Sequence, residues 1–152
     1  TFFTVGQNTL GLSAVFDLTS WATQAVVTDA PGDGALFAVA HGAGRFVAAG
    51  VNASVFYSSD HVNWSRGSDA NNLDVTVSGL AHNANNGRFA SVGLFPLAAW
   101  STDVAATWVN GTLTPPVSPF FSLRGLTAFG VNSFATCGES GTIRVSTDGG
   151  AN

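Results

Sequence analysis

The sequence predicts an all-β chain built from β-propeller blades, each a sheet of four antiparallel strands. Residues recur at a period of about 43, each period divides into short apolar runs, and no stretch holds a helical period. Three series with steps of 43 to 45 residues mark the repeat: Phe2, Phe46, Phe89 and Phe134, each with Gly four residues later; Asp17, Asp60, Asp103 and Asp148; and Trp21, Trp64 and Trp108.

Each repeat has the same internal order of runs and turns. The second repeat has runs at 36–41, 45–50, 54–58 and 64–66, and the third has them at 77–82, 88–93, 97–101 and 108–112. The fourth has them at 125–129, 133–138 and 142–146. Because Gly, Asn, Asp and Ser bound these runs, the pattern predicts strands joined by hairpins.

Side-chain size predicts where each residue lies in a blade. Small residues suit the crowded inner strands, namely Ala38, Ala40, Ala48, Ala49, Ala90 and Ala135. Large residues suit the contacts between blades, namely Phe37, Phe46, Phe56, Phe89, Phe134, Trp64 and Trp108. The single cysteine, Cys137, lies in an apolar run, so we expect a buried core thiol.

The strand count predicts an incomplete propeller, because propellers have about 4–8 blades. Residues 1–152 form one segment with units at approximately 1–30, 31–73, 74–118 and 119–152. The first and last units hold three strands each. We therefore expect a part of a longer protein, or chains that complement one another through open end strands, which would produce rings or filaments.

The turns after the third runs resemble the Asp box of sialidase-like (BNR) β-propellers. The box residues are Ser58, Asp60, Trp64, Ser101, Asp103, Trp108, Ser146 and Asp148. The preceding strands resemble the Gly-Xaa-Phe-Val-Ala-Val-Gly strands of bacterial and algal Asp-box propellers, including relatives of the photosystem assembly factor. The resemblance implies structural boxes, on the face away from the usual ligand site.

The boxes depart from the family pattern at several positions. Ser is lost before Asp17, and Ala105 stands where the box has Gly. Asp103 lies five residues before its Trp, whereas Asp60 lies four residues before its own, and the fourth box has no Trp. The pattern therefore indicates the fold more firmly than any activity.

The residues of sialidase chemistry do not come together in this sequence. The resemblance would require an Arg triad and a Tyr/Glu pair, but Tyr57 and Glu139 are the only Tyr and Glu, and they fall toward opposite faces. Arg45 and Arg88 occupy equivalent repeat positions, which separates them around the ring. We expect no enzyme activity and no cofactor. His41 and His82 end first strands and His61 lies in a turn, and all three are interpreted as hydrogen-bonded residues, so no metal site is predicted.

Composition and sequons indicate the compartment. The net charge is −4 and there is no Lys, which argues against nucleic acid or an anionic membrane surface as a partner. No apolar run is long enough to span a membrane. N-glycosylation sequons occur at Asn52, Asn63 and Asn110. A proline tract with candidate O-glycosylation positions follows, at Thr114, Pro115, Pro116 and Ser118, although a rigid connecting loop explains it equally. We expect an extracellular or cell-surface glycoprotein.

These observations predict a non-catalytic module with a structural, assembly, or glycan- or protein-binding role. Its ligand face would be formed by the loops between second and third strands and by the blade connections, at Asn52, Phe95, Glu139, Asp69, Asn71 and Asn72. Phe95 is interpreted either as an exposed aromatic contact or as packing between blades. Two alternatives stay open: a segment of a sialidase-like glycoside hydrolase whose catalytic residues lie outside this chain, or a propeller similar to the photosystem assembly factor.

Overall fold

The computed structural model describes residues 2–6, 9–13, 21–24, 35–68, 75–95, 97–114 and 121–152. Within these ranges the chain forms four antiparallel sheets and no α-helix. The first sheet has the strand order β1-β2-β3, with β1 (Phe2–Gly6), β2 (Thr9–Ser13) and β3 (Trp21–Gln24). The all-β prediction is therefore confirmed for the described residues.

The second and third sheets are four-stranded meanders, here called blades 2 and 3. Blade 2 has the order β4-β5-β6-β7, with β4 (Leu36–Gly42), β5 (Arg45–Gly50), β6 (Val55–Ser58) and β7 (Ser65–Arg66). Blade 3 has the order β8-β9-β10-β11, with β8 (Val77–Asn83), β9 (Arg88–Gly93), β10 (Ala98–Ser101) and β11 (Val109–Asn110).

Blade 4 is three-stranded, in the order β12-β13-β14, with β12 (Leu123–Phe129), β13 (Ser133–Gly138) and β14 (Ile143–Ser146). The first strands β4, β8 and β12 lie side by side, so β8 packs between its two neighbours, and β1 contacts β4. This stacking of sheets is the arrangement of propeller blades around an axis.

Each second strand ends at a glycine for a steric reason. A Cβ on Gly50 would lie 1.9 Å from the carbonyl oxygen of Ala35, and a Cβ on Gly93 would lie 1.9 Å from that of Thr76. The second strand can therefore approach the start of the first only where no side chain intervenes. This close approach explains the glycine of the Phe-Xaa-Xaa-Xaa-Gly motif.

The core lies between the blades. The largest apolar cluster joins blades 2 and 3, with Val47, Ala49, Val77 and Phe89 among its members. A smaller cluster joins blades 3 and 4 through Ala81, Ala90 and Phe134. The small-residue prediction fits blades 2 and 3, whose second strands are buried.

Two expectations about burial are wrong. Cys137 is exposed, because it lies on the face of blade 4 that no described sheet covers. Phe37 is 54% exposed and does not fill a contact between blades, because the first strand bulges at this residue. Within the described segments, no helix has the length and apolarity that crossing a membrane requires.

Candidate functional site

The first strand of each described blade bulges at the same repeat position. The pairing register shifts between Leu36 and Ala38, between Val77 and Gly79, and between Leu123 and Gly125. The residues at the three bulges are Phe37, Ser78 and Arg124. A bulge re-aims a side chain that would otherwise alternate with its neighbours.

The three bulge residues line one open cavity where the first strands begin. Its volume is about 450 Å³, and its lining consists of Phe37, Val51, Thr76, Ser78, Leu94 and Arg124. One side chain from each of the three blades thus contributes to the same space, which we call the axial cavity. Apolar concavities with a few convergent polar groups are the usual form of binding sites.

The loops between second and third strands rise around the axial cavity in a repeated conformation. Asn52, Phe95 and Ser140 hold the same loop position, and each has a left-handed φ, of 53°, 55° and 55° respectively. The residue before each of them donates its backbone N–H to the chain entering the first strand, as Leu94 does to the Thr76 carbonyl at 2.9 Å. This hydrogen bond fixes the loop so that the residue with the left-handed φ faces outward.

The outward residue of blade 3 is a large aromatic one. Phe95 is 62% exposed, which favours the exposed-contact interpretation over packing between blades. A Phe at left-handed φ is uncommon and carries conformational strain, because its Cβ crowds its own backbone. Asn52 is also exposed, and it meets the same requirement more easily because Asn tolerates this region.

The cavity rim carries an ion pair within blade 4. Arg124 Nη2 donates to Glu139 Oε1 at 2.6 Å, and Glu139 Oε2 accepts the backbone N–H of Ser122 at 3.3 Å. The hydrogen bond from Arg124 lowers the pKa of Glu139, and the bond from Ser122 adds to this effect. Both partners are partly exposed, so a ligand can reach either charge.

The predicted ligand face and the cavity therefore coincide only in part. Asn52, Phe95 and Glu139 all lie in the repeated loops that surround the cavity. Sequence reasoning missed Phe37 and Arg124, although their shared position after Leu36 and Leu123 is a signal in the repeat. Three further predicted residues lie outside the described residues, namely Asp69, Asn71 and Asn72.

The Ser-Xaa-Asp turns lie at the ends of the third strands, at the opposite rim. Asp60 Oδ1 accepts the N–H groups of Val62 and Asn63 at 2.9 and 2.8 Å and the Ser58 hydroxyl at 3.0 Å. Its Oδ2 accepts the Asn63 side-chain amide at 2.7 Å. The hydrogen bonds from Asn63 hold the pKa of Asp60 far below its usual range. Both carboxylate oxygens are thus used by the turn itself.

The turns of blades 3 and 4 are built in the same way. Asp103 accepts the Ser101 hydroxyl at 2.8 Å and the Thr107 N–H at 2.8 Å. Partial burial raises the pKa of Asp103, but the bonds from Thr107 and Ser101 outweigh it, so the pKa is lowered. The Ser146 hydroxyl, at 2.7 Å, and the Asn152 N–H lower the pKa of Asp148 to about 2.

The substituted glycine position keeps its conformation. Ala105 has a φ of 69° and Gly150, at the same place in the next blade, has a φ of 92°. The Ala105 N–H donates to Ser101 Oγ at 3.0 Å, and the Gly150 N–H donates to Ser146 Oγ at 2.9 Å. The turn therefore forms despite the strain. A purely structural role for these turns stays a prediction, as does the role of Trp64 and Trp108.

The candidate glycosylation positions differ in their surroundings. Asn52, Asn63 and Asn110 are all exposed, but the amide of Asn63 already donates to Asp60. Thr114 is exposed. The remaining positions of the proline tract lie outside the described residues, namely Pro115, Pro116 and Ser118.

Potential catalytic and metal-binding groups lie apart. Tyr57 lies in β6 beside Ser58, with the Arg45 guanidinium carbon 4.7 Å from its ring centroid, whereas Glu139 lies at the opposite rim. In the part of the chain that the structure describes, no three His, Cys, Asp or Glu residues are grouped as metal ligands would be. The absence of an enzyme activity stays a prediction.

Comparison with known proteins gives structural relatives only. No protein-family model matches the chain, and no curated protein matches it. The fold is similar to a solved structure described as YCF48 bound to D1 peptide, with a TM-score of 0.64 and 21% identity over 77% of this chain and 39% of that one. It is also similar to YCF48 from Cyanidioschyzon merolae, with a TM-score of 0.63 and 21% identity over 77% of this chain and 35% of that one.

At this identity the likeness establishes the fold alone. The chain is a β-propeller segment that spans less than two-fifths of the length of either solved structure, at 39% and 35%.

Proposed function

We propose that this chain is a protein-binding segment of a β-propeller, and that a peptide of its partner lies over the axial cavity. The observation that carries the proposal is the convergence of three bulge residues, Phe37, Ser78 and Arg124, from three blades on one cavity. A repeated bulge aimed at one space is a feature that packing within a blade does not require.

The chemistry of this face suits an extended peptide with an apolar side chain. Phe37 and Leu94 offer apolar surface inside the cavity, and the exposed ring of Phe95 stands in a loop at its rim. The Arg124–Glu139 pair offers a charged donor and a charged acceptor to the peptide backbone or to polar side chains. Aromatic and Arg side chains are those enriched at binding hot spots.

The comparisons support a protein partner. One of the solved structures that resemble this chain is YCF48 bound to a D1 peptide, which favours the assembly-factor alternative over the glycan-binding alternative. No comparison supports a glycan ligand. Our proposal keeps the expectation of a non-catalytic module. An extracellular, glycosylated setting is a separate expectation, which the glycan mass of the native protein tests.

Peptide binding can be measured by fluorescence anisotropy with a labelled D1 peptide, and with peptides selected from a random library against the immobilised chain. Phe95→Ala should weaken binding at least tenfold, because truncating a hot-spot aromatic costs about 2 kcal/mol. Phe129→Ala is the matched control, since Phe129 is also exposed but lies at the opposite end of its blade.

Equal affinity of the wild-type chain, Phe95→Ala and Phe37→Ala for every selected peptide would contradict the site. Failure to select any peptide from the library would contradict the protein-binding function itself. Circular dichroism of each variant verifies that the sheets remain folded.

A further inference from the structure

Three loops around the axial cavity have the same backbone and different side chains. Each loop follows the glycine that ends a second strand, at Gly50, Gly93 and Gly138. The glycine N–H donates to the carbonyl of the residue four positions later, at 3.0, 3.1 and 2.9 Å. The N–H of that later residue donates to the carbonyl of the residue after the glycine, at 2.9, 3.2 and 3.1 Å. The three loops are therefore copies of one tight turn.

The residue two positions after each glycine has a fixed conformation but no fixed type. Asn52, Phe95 and Ser140 hold this position, all three have a left-handed φ, and all three are exposed. An amide, an aromatic ring and a hydroxyl thus project from one backbone position. We call these three residues the loop tips.

The bulges of the first strands vary in a similar way. An aliphatic residue that is at most 3% exposed precedes each bulge, namely Leu36, Val77 and Leu123. The bulge residues themselves are aromatic, hydroxyl-bearing and cationic, namely Phe37, Ser78 and Arg124. The repeat therefore keeps the buried positions and varies those that face the cavity. The Ser78 hydroxyl already donates to the Leu123 carbonyl at 2.5 Å, so the loop tips are the positions where the blades differ most freely.

Phe95 is the loop tip that packing within the fold explains least. Blade 3 has a described blade on each side, and the Phe95 ring is nevertheless 62% exposed. Its left-handed φ strains a Phe residue, whereas Asn tolerates the same φ at the equivalent position of blade 2. A side chain that strains its turn and gains little burial contributes more to a contact with another molecule than to the fold.

We infer that the loop tips are specificity positions, each of which contacts one side chain of an extended partner peptide. The inference rests on the proposed function and specifies how the peptide is recognised. Phe95 contacts an apolar side chain, whereas Asn52 and Ser140 form hydrogen bonds to polar ones. The loop tips carry no charge, and Glu139 matches the charge of Arg124, so the recognised side chains are uncharged. Because the three turns share one backbone, the side chain at each tip decides the preference of its blade.

The experiment exchanges the loop tips of blades 2 and 3. Peptides are selected from a random library against the wild-type protein, Phe95→Asn and the double variant Asn52→Phe/Phe95→Asn. All are produced in a host without N-glycosylation, because Asn52 begins a sequon. Peptides selected by the wild type should share an apolar residue at one position. Phe95→Asn should lose this preference and bind those peptides at least about tenfold more weakly. The double variant should regain the preference at a position displaced along the peptide.

Val131→Asn is the matched control. Val131 is 75% exposed but lies in the turn between β12 and β13, at the opposite rim, so this variant should keep the preference and affinity of the wild type. Urea denaturation should show that Phe95→Asn is at least as stable as the wild type, because Asn tolerates the left-handed φ. A clear loss of stability in Phe95→Asn would assign Phe95 to the fold and overturn the inference.

The remaining outcomes distinguish this inference from the proposed function. If Phe95→Asn weakens binding but the double variant selects no displaced apolar position, the binding site stands and the inference of one contact per blade is overturned. The same holds if the wild type and the double variant select peptides with the same preferences. If the wild type selects no peptide at all, the proposed function is overturned and the inference with it.

Discussion

The two described interfaces between blades follow one repeat but use different chemistry. Blades 2 and 3 meet through ten buried apolar residues that form one continuous cluster. Blades 3 and 4 share a smaller cluster with three buried residues and add hydrogen bonds from side-chain amides to backbone carbonyls. The same stacking is therefore stabilised mainly by burial at one interface and partly by polar groups at the other.

The length of one hairpin turn contributes to the polar side of this difference. The turn between β4 and β5 spans residues 43–44, whereas the turn between β8 and β9 spans residues 84–87. The longer turn carries Asn85 and Asn86, whose side-chain amides donate to Gly130 and Asn132 of blade 4, each at 2.6 Å. The longer turn, with its two additional residues, therefore forms hydrogen bonds to the next blade.

The equivalent arginines of blades 2 and 3 show the same contrast between the two interfaces. Arg45 lies over the Tyr57 ring and Arg88 lies over the Trp100 ring, in equivalent cation–π contacts at 4.7 and 4.2 Å. Arg88 also donates to the carbonyls of Asp148 and Gly149 in the turn of blade 4, at 3.2 and 3.1 Å. A side chain that packs within its own blade in one repeat therefore bridges two blades in the next.

The largest expected effect is the loss of stability when an aromatic residue is removed from either apolar cluster, and it should differ between the two clusters. Phe89→Ala should lower the free energy of unfolding by an amount near the upper end of about 3–5 kcal/mol, because Phe89 is completely buried in the larger cluster. Phe134→Ala should fall near the lower end, since Phe134 already borders a cavity of about 50 Å³. Urea denaturation of both variants measures the difference. Equal losses would mean that the two interfaces do not differ in apolar packing.

A second experiment tests the polar interface. Asn83 is buried, donates to the carbonyls of Phe129 and Ser133 at 3.4 and 3.2 Å, and accepts the Asn85 N–H at 3.0 Å. Asn83→Ala should cost about 1–3 kcal/mol, because buried groups lose their partners. Asn110→Ala, at an exposed position, is the control and should change stability by less than about 0.5 kcal/mol. If Asn83→Ala loses no more stability than Asn110→Ala, the hydrogen bonds of Asn83 do not stabilise the interface between blades 3 and 4.

The smallest expected effect is a pH dependence at the interface of blades 2 and 3. His82 stacks on Phe89 with ring centroids 4.6 Å apart, and its Nε2 is buried without a hydrogen-bond partner among the described residues. Burial lowers the pKa of His82, and the nearby His41 lowers it further. The folded chain therefore binds fewer protons at this site, and stability should fall as the pH drops below about 6.5, the pKa of an unperturbed His.

Urea denaturation between pH 7 and pH 5 measures this slope, and His82→Gln should flatten it. His41→Gln is the control that leaves His82 in place, and it should keep most of the slope because burial is the larger cause. An unchanged slope in His82→Gln would assign the pH dependence to other groups.

The period of the sequence was sufficient to predict the sheets and their order. Strand boundaries in blades 2 and 3 follow the apolar runs because each run is short and ends at turn residues, as at Gly42 and Gly50. The repeat also predicted that Asn52 and Phe95 lie in exposed loops. It did not predict the bulges, because a bulge changes which face a residue occupies without changing the apolar pattern. For this reason the apolar pattern predicts packing between blades for Phe37 and gives no signal for Arg124.

By itself, the sequence determined the period, the strands and the turn chemistry, because these depend on local hydrogen bonding and steric limits such as those at Gly50. Only the tertiary structure decided which faces are covered. Val47 and Ala135 hold the same repeat position, yet one is completely buried and the other lies on an open face. Burial depends on the neighbouring sheet, which the residues of a single repeat do not specify. The axial cavity arises in the same way, because its lining comes from three blades that approach only when they stack.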